Sequence, residues 1–113
     1  MNLLFVSGNI AYVDGAIPAY ASDGKNDVQD QTKIVMESIG RILKAAGYDF
    51  DDALKVSVFL SDIKHYSAFN EIYGNYWKGD AKPPAREAFE VAALPGSKSG
   101  APVLLEVSLI AGK

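Results

Sequence analysis

The sequence predicts an α+β fold, a sheet with two helices packed on one of its faces. Three observations carry this reading. Runs of strand character flank two stretches of helical periodicity, in the order strand, strand, long helix, strand, helix, strand, strand. The run from Ala53 to Leu60 carries apolar side chains on both of its faces, which predicts a strand covered on both sides. The chain has 113 residues and 49% hydrophobic content, enough for a single domain over residues 1–113 with one core. No repeat, low-complexity tract or linker divides it.

Leu3-Leu4-Phe5-Val6-Ser7 is a short apolar run that stops at Gly8 and reads as the first strand. Ile10-Ala11-Tyr12-Val13 reads as the second, closed by the turn pair Asp14-Gly15. Residues 17–26 hold Pro18, Ser22 and Gly24 and read as loop. Asn26 or Asp27 can cap a helix that runs to about Ala46. Val35, Ile39, Ile42 and Ala46 fall on one of its faces, while Lys33, Glu37, Arg41 and Lys44 lie mostly on the other. Glu37 and Arg41 form a favourable i, i+4 pair, and Gly47 suits the left-handed position just past the helix. This amphipathic stripe reads as scaffold.

The strongest strand follows, with Val56, Val58 and Leu60 on one face and Lys55, Ser57 and Phe59 on the other. Ser61-Asp62 then caps a second helix, whose stripe is Tyr66, Phe69, Tyr73 and Tyr76. Gly74 weakens its middle. His65 has no second His or Cys to make a metal site and reads as structural or solvent-facing. Asn70 stands out on this helix, because Asn is a poor helix former whose amide both donates and accepts. It is either a solvated helix residue or part of a site.

Pro83-Pro84 opens the next strand, which reads from Ala85 through Ala93. Alternation puts Ala85, Glu87, Phe89, Val91 and Ala93 on one face and Arg86, Ala88, Glu90 and Ala92 on the other, polar one. Arg86 is a planar fork of donors matched to a carboxylate or phosphate, and Ala88 leaves room beside it. The plainer alternative is an Arg paired with Glu90 or another carboxylate. Residues 95–102 read as loop, and the last strand runs from Val103 to Ala111. On it, Leu104, Glu106, Ser108 and Ile110 share one face. A carboxylate in an apolar strand is costly to bury unless paired, so Glu106 is a candidate functional group or else the partner of a nearby cation, Arg86 included.

Composition excludes several classes. A net charge of −3 leaves no sign of a basic nucleic-acid surface. There is no cysteine, hence no disulfide framework or thiol nucleophile. No apolar run approaches the roughly 18 residues that span a bilayer. The start of the chain lacks a basic segment followed by an apolar one, so a cytoplasmic location is the expectation.

The ordered set Leu4-Phe5-Val6-Ser7-Gly8, Gln31-Thr32, Ala46-Gly47, Lys55 to Asp62, Phe69-Asn70-Glu71-Ile72-Tyr73, Pro84-Ala85-Arg86 with Glu90-Val91-Ala92-Ala93-Leu94-Pro95, and Leu105-Glu106-Val107 resembles the reactive-intermediate deaminase (Rid) family, also known as the endoribonuclease L-PSP family. The resemblance covers nearly the whole chain. It implies a chorismate-mutase-like fold with one mixed sheet, assembled as a homotrimer with sites between adjacent subunits. It implies hydrolysis of 2-imino or enamine acids, such as 2-aminoacrylate or 2-iminobutanoate, to 2-oxo acids and ammonia. Arg86 would clamp the substrate carboxylate, and Glu106 would orient or deprotonate the attacking water. Ser7, Ala88 and Asn70 would border the pocket; for Ser7 the alternative is a strand-end hydroxyl bonded to its own backbone. No metal or organic cofactor is implied, because the imine is already electrophilic. Family members usually carry a further segment before the strand matching Leu3–Ser7, with a Gly-Pro-Tyr motif whose tyrosine enters the pocket. Nothing here aligns with that tyrosine, and the expectation is an exposed sheet edge. The loop after Leu94 is longer than the family turn. Two other functions compete. A binding module for small carboxylates would need Arg86 but not Glu106. An endoribonuclease would need cationic and stacking surface that the composition does not offer.

Overall fold

In a computed structural model, which describes residues 1–96 and 100–113, four strands form one sheet and two helices cover one of its faces. In chain order the elements are β1 (Leu3–Asn9), α1 (Asp27–Ala45), β2 (Ala53–Leu60), α2 (Tyr66–Tyr73), β3 (Ala85–Glu90) and β4 (Leu105–Gly112). Short 3-10 turns at Ala19–Ala21, Phe50–Asp52, Ile63–His65 and Gly74–Tyr76 link them. The strand order is β1-β4-β2-β3. β4 is antiparallel to both of its neighbours, and β2 pairs with β3 in parallel, so the sheet is mixed.

The core lies between the sheet and the helices. Val56, Val58 and Leu60 of β2 and Leu105, Val107 and Leu109 of β4 are buried under Val35, Met36, Ile39 and Leu43 of α1 and Phe69 of α2. Gln31 is buried and fully used. Its amide donates to the carbonyls of Ala21 and Pro102 and accepts from the Leu104 amide, each at 3.0 Å, tying α1 to the start of the last strand. Gly47 takes the expected left-handed conformation, at φ 84°.

Several expectations need correction. Residues 10–13 are not a strand. The Tyr12 amide turns back onto the Ile10 carbonyl at 2.8 Å, and only a single bridge, Val13 to Ala16, survives around the Asp14-Gly15 turn. The α1 stripe closes on Leu43 rather than on Ile42 and Ala46, because positions 35, 39 and 43 track the core more closely; Ile42 is 40% exposed. Glu37 and Arg41 do not pair: Glu37 accepts a 2.7 Å hydrogen bond from the Tyr76 hydroxyl, and Arg41 donates to Ser38 at 3.0 Å. Asn26 stands before α1 in a left-handed conformation without a side-chain cap. The Asp27 carboxylate instead gathers the amides of Gly24 at 2.9 Å and Asp23 at 3.2 Å.

The largest correction concerns the 85–93 segment. Its strand ends at Glu90, and its register sets Arg86 beside Val56 and Ala88 beside Val58. Both valines are fully buried beneath the helices. The Arg86 face is therefore the helix side, and Phe89 points away from the core, 55% exposed. Two successive strands joined by one loop suggest a neighbouring pair, but β3 and β4 are not neighbours. β2 lies between them, and β3, preceded by two prolines without amide protons, takes the edge. Within one chain the second face of β2 is also uncovered. It carries Lys55 in a 2.7 Å ion pair with Glu87, and Ser57 bonds the same carboxylate. Phe5, 70% exposed, lies on this open face as well. Of the loop at 95–102, residues 97–99 lie outside the described residues. No helix among the described residues is long and apolar enough to cross a membrane.

Candidate functional site

Arg86 leaves β3 near its start and crosses the aromatic face of α2. Tyr66, Asn70 and Tyr73 recur at i, i+4 and i+7 along that helix, so all three reach the same guanidinium. Nη1 donates to Asn70 Oδ1 and Nη2 to the Tyr66 hydroxyl, both at 2.8 Å. The guanidinium carbon stands 4.8 Å from the Tyr73 ring centre, 5.4 Å from Tyr66 and 5.9 Å from Phe69. These are cation–π distances. No carboxylate among the described residues lies within ion-pair distance of Arg86, and Glu90 instead accepts from the Ile63 amide at 2.9 Å. The charge is held by neutral acceptors and ring faces, which leaves it available to an anion.

The cleft at this point has a volume of about 590 Å³ and is lined by Ile63, Lys64, Tyr66, Ser67, Arg86 and Ala88. Ala88 follows Arg86 on the same face of β3. Tyr66 is the residue that sequence reasoning placed only in a packing stripe. Its one signal was position, one helical turn before Asn70.

Burial pushes the Tyr73 hydroxyl up to about 12, and the nearby Arg86 charge offsets part of that rise. The hydroxyl is buried and has no hydrogen-bond partner among the described residues. A raised folded-state value favours the folded state below the unfolded value of 10.0, and this contribution fades as pH rises toward about 12. A tyrosinate absorbance titration should therefore show two fewer tyrosines ionising near pH 10 in the native than in the denatured protein, Tyr73 and Tyr76, and Tyr73→Phe should lower the denatured count by one while leaving the native count unchanged.

Glu106 and Ser7 sit elsewhere. Glu106 lies opposite Phe59 on the open face of the sheet. A side chain at Gly8 would overlap its carboxylate, so that carboxylate rests directly on the Gly8 backbone, where the β1–β4 register shifts between Val6 and Asn9. Gly8 is thus a position that only tertiary contact reveals. Ser7, its neighbour, is exposed, and its hydroxyl makes no hydrogen bond to the described residues. Arg86 and Glu106 do not meet within one chain: β2 separates their strands by two spacings, about 10 Å, and they occupy opposite faces. An Arg86–Glu106 ion pair is excluded for the same reason. Within one chain the Arg86 guanidinium in the α2–β3 cleft and the Glu106 carboxylate over β1 therefore stand apart. Among the described residues no cluster of three His, Cys, Asp or Glu could hold a metal ion, and His65 Nδ1 is buried without a partner.

A family model described as Endoribonuclease L-PSP matches residues 2–112, and so includes both Arg86 and Glu106. The chain belongs to the endoribonuclease L-PSP family. A RutC family protein of Pyrococcus horikoshii is 42% identical over 110 residues, covering 95% of this chain and 82% of its own. The human 2-iminobutanoate/2-iminopropanoate deaminase is 38% identical over 104 residues, covering 89% of this chain and 72% of its own. Among solved structures, E. coli TdcF with bound serine superposes with a TM-score of 0.81 at 33% identity, over 98% of this chain and 80% of that one. In this L-PSP chain a mixed sheet backed by two helices is the frame that carries Arg86 and Glu106.

Proposed function

We propose that this L-PSP protein hydrolyses 2-imino acids and their enamine tautomers, such as 2-aminoacrylate and 2-iminobutanoate, to 2-oxo acids and ammonia. The site is assembled between adjacent copies of the chain in a homotrimer. The observation that carries this is the Arg86 fork, aimed by Asn70 and Tyr66 and free of any carboxylate among the described residues. Support comes from relatives named as imine deaminases and from TdcF, solved with serine, whose carboxylate is the group Arg86 would hold. The open sheet face, with Phe5 and Phe89 exposed, is the surface a second copy would cover, bringing Glu106 and Ser7 of one copy to the Arg86 cleft of the next.

Arg86 clamps the substrate carboxylate and fixes the pose. Ser7 and backbone near Ala88 hold the imine nitrogen. Water attacks the imine carbon and gives a proton to Glu106 as the C–O bond forms; the C=N π pair moves to the nitrogen, which takes that proton from Glu106 to give a neutral carbinolamine. Glu106 then takes the hydroxyl proton and passes it to the nitrogen, the C–N bond breaks with its electron pair on nitrogen, and ammonia leaves as the carbonyl forms. Atoms and charge balance without a redox partner.

The shared site is tested by mixing. Arg86→Lys and Glu106→Gln chains, each inactive alone, are unfolded together and refolded in equal amounts. A site built from two copies restores about a quarter of the wild-type activity, since half the clefts keep Arg86 and half of those meet an intact Glu106. Ammonia release from freshly generated 2-aminoacrylate is the readout. No recovery, or a monomer mass by light scattering, would overturn the assembled site. A second reading, a binding module for small carboxylates such as 2-oxo acids, is favoured by one fact: the Arg86 fork is oriented by Asn70 and Tyr66 of its own chain, without Glu106.

A further inference from the structure

A second concavity lies between α1 and the segment after α2, with a volume of about 820 Å³, and it shares no lining residue with the Arg86 cleft. Its floor is apolar, made by Met36, Phe50, Ile72 and Tyr76. The Phe50 ring is wedged in place: it lies 5.1 Å from the Tyr76 ring and 5.4 Å, edge-on, from Trp77. On its other side Gly40 lets it approach, since a Cβ there would come within 3.2 Å of the ring. The rim is cationic. Lys33, Arg41 and Lys44 project from α1 and Lys78 from the opposite wall. The one acid in the lining, Glu37, is engaged by the Tyr76 hydroxyl at 2.7 Å. Burial and that carboxylate both raise the Tyr76 hydroxyl above its ordinary value, so it stays protonated as the donor.

Four cations and one anion therefore surround this groove in a chain whose net charge is −3. A polyanion would meet net repulsion from the rest of the molecule, whereas a small anion would feel the local cations alone. We propose that the groove binds a small organic anion carrying an aromatic ring, with its phosphate or carboxylate between the α1 cations and Lys78 and its ring on the Phe50–Tyr76 floor. This site is independent of the imine chemistry at Arg86. Its ligand pairs an anionic head with a flat apolar body, because the groove offers cations only at its rim and ring faces only at its floor.

The test uses phenyl phosphate as the probe, with inorganic phosphate and benzyl alcohol as its two halves. Trp77 is the only tryptophan, and its indole Nε1 donates to the Phe50 carbonyl at 2.9 Å, so its single indole NMR resonance reports on the floor. The expected result is a saturable shift of that resonance and of the Gly40 amide with phenyl phosphate, and much weaker shifts with either half. Lys44 and Lys78 are exposed and stand on opposite walls. Lys44→Glu with Lys78→Glu should weaken binding by about tenfold or more, and raising the salt should do the same to the unaltered protein. The double exchange to Gln should fall between. Arg86→Lys should leave the titration unchanged. No saturable shift with millimolar phenyl phosphate would overturn the site. So would indifference to both double variants, or inorganic phosphate binding as tightly as phenyl phosphate, which would mean the ring is not read.

Discussion

Glu106→Gln is expected to leave 2-oxo-acid binding in place and to lower imine hydrolysis by about 10²–10⁴-fold, the usual contribution of a positioned base. The amide is nearly the same shape as the carboxylate and fits the same contact with the Gly8 backbone. What it lacks is an oxygen basic enough to take a proton from water. The fold should be indifferent, because Glu106 faces the open side of the sheet and no ion pair holds it among the described residues. Ammonia release must be compared with the spontaneous hydrolysis of the same imine, which proceeds without any protein. Unchanged activity in Glu106→Gln would remove Glu106 from the chemistry. Unchanged binding in a wild-type protein that never exceeds the spontaneous rate would favour the binding module.

The second large effect is on binding. Arg86→Lys should weaken affinity for 2-oxobutanoate by about 10–100-fold, measured by titration calorimetry, with little change in melting temperature. Lysine keeps the charge but cannot reach Asn70 and Tyr66 at once while also presenting two parallel donors to a carboxylate. It also gives up the guanidinium's 4.8 Å approach to the Tyr73 ring. Equal affinity for the two proteins would place the ligand elsewhere.

Much of the local structure was legible because it follows from period and punctuation. The long helix, the Val56–Val58–Leu60 face and the Gly47 terminus each follow from a local rule. Strand neighbours do not. Alternation assigns residues to faces, but nothing in the spacing of Arg86 and Glu106 says that β2 will lie between them. Phe89 misled for a related reason: an exposed Phe beside a half-buried Arg inverts the usual rule, and the sheet register alone identifies the covered face. At the candidate site, Arg86, Asn70 and Glu106 stood out by residue type, since each is unusual where it occurs. Tyr66 and Gly8 did not, because a tyrosine in an aromatic stripe and a glycine at a strand end are ordinary until the guanidinium and the carboxylate they touch are in place.

The sheet order has a kinetic consequence. Of the four described strands β1 comes first in the chain, and its partner among them is β4, which comes last. β2 finds β3 through the short α2 crossover, but the centre of the sheet stays empty until β4 slots between β1 and β2. During synthesis, therefore, the helices and the β2–β3 pair can form early, while Leu3 to Asn9 waits as an unpaired apolar strand. Sheet closure is then a late, non-local event, slow in proportion to the chain it must gather. The nascent protein is most open to aggregation in the interval before β4 leaves the ribosome, and changes that weaken β4 should lower soluble yield more than their effect on the finished fold would indicate.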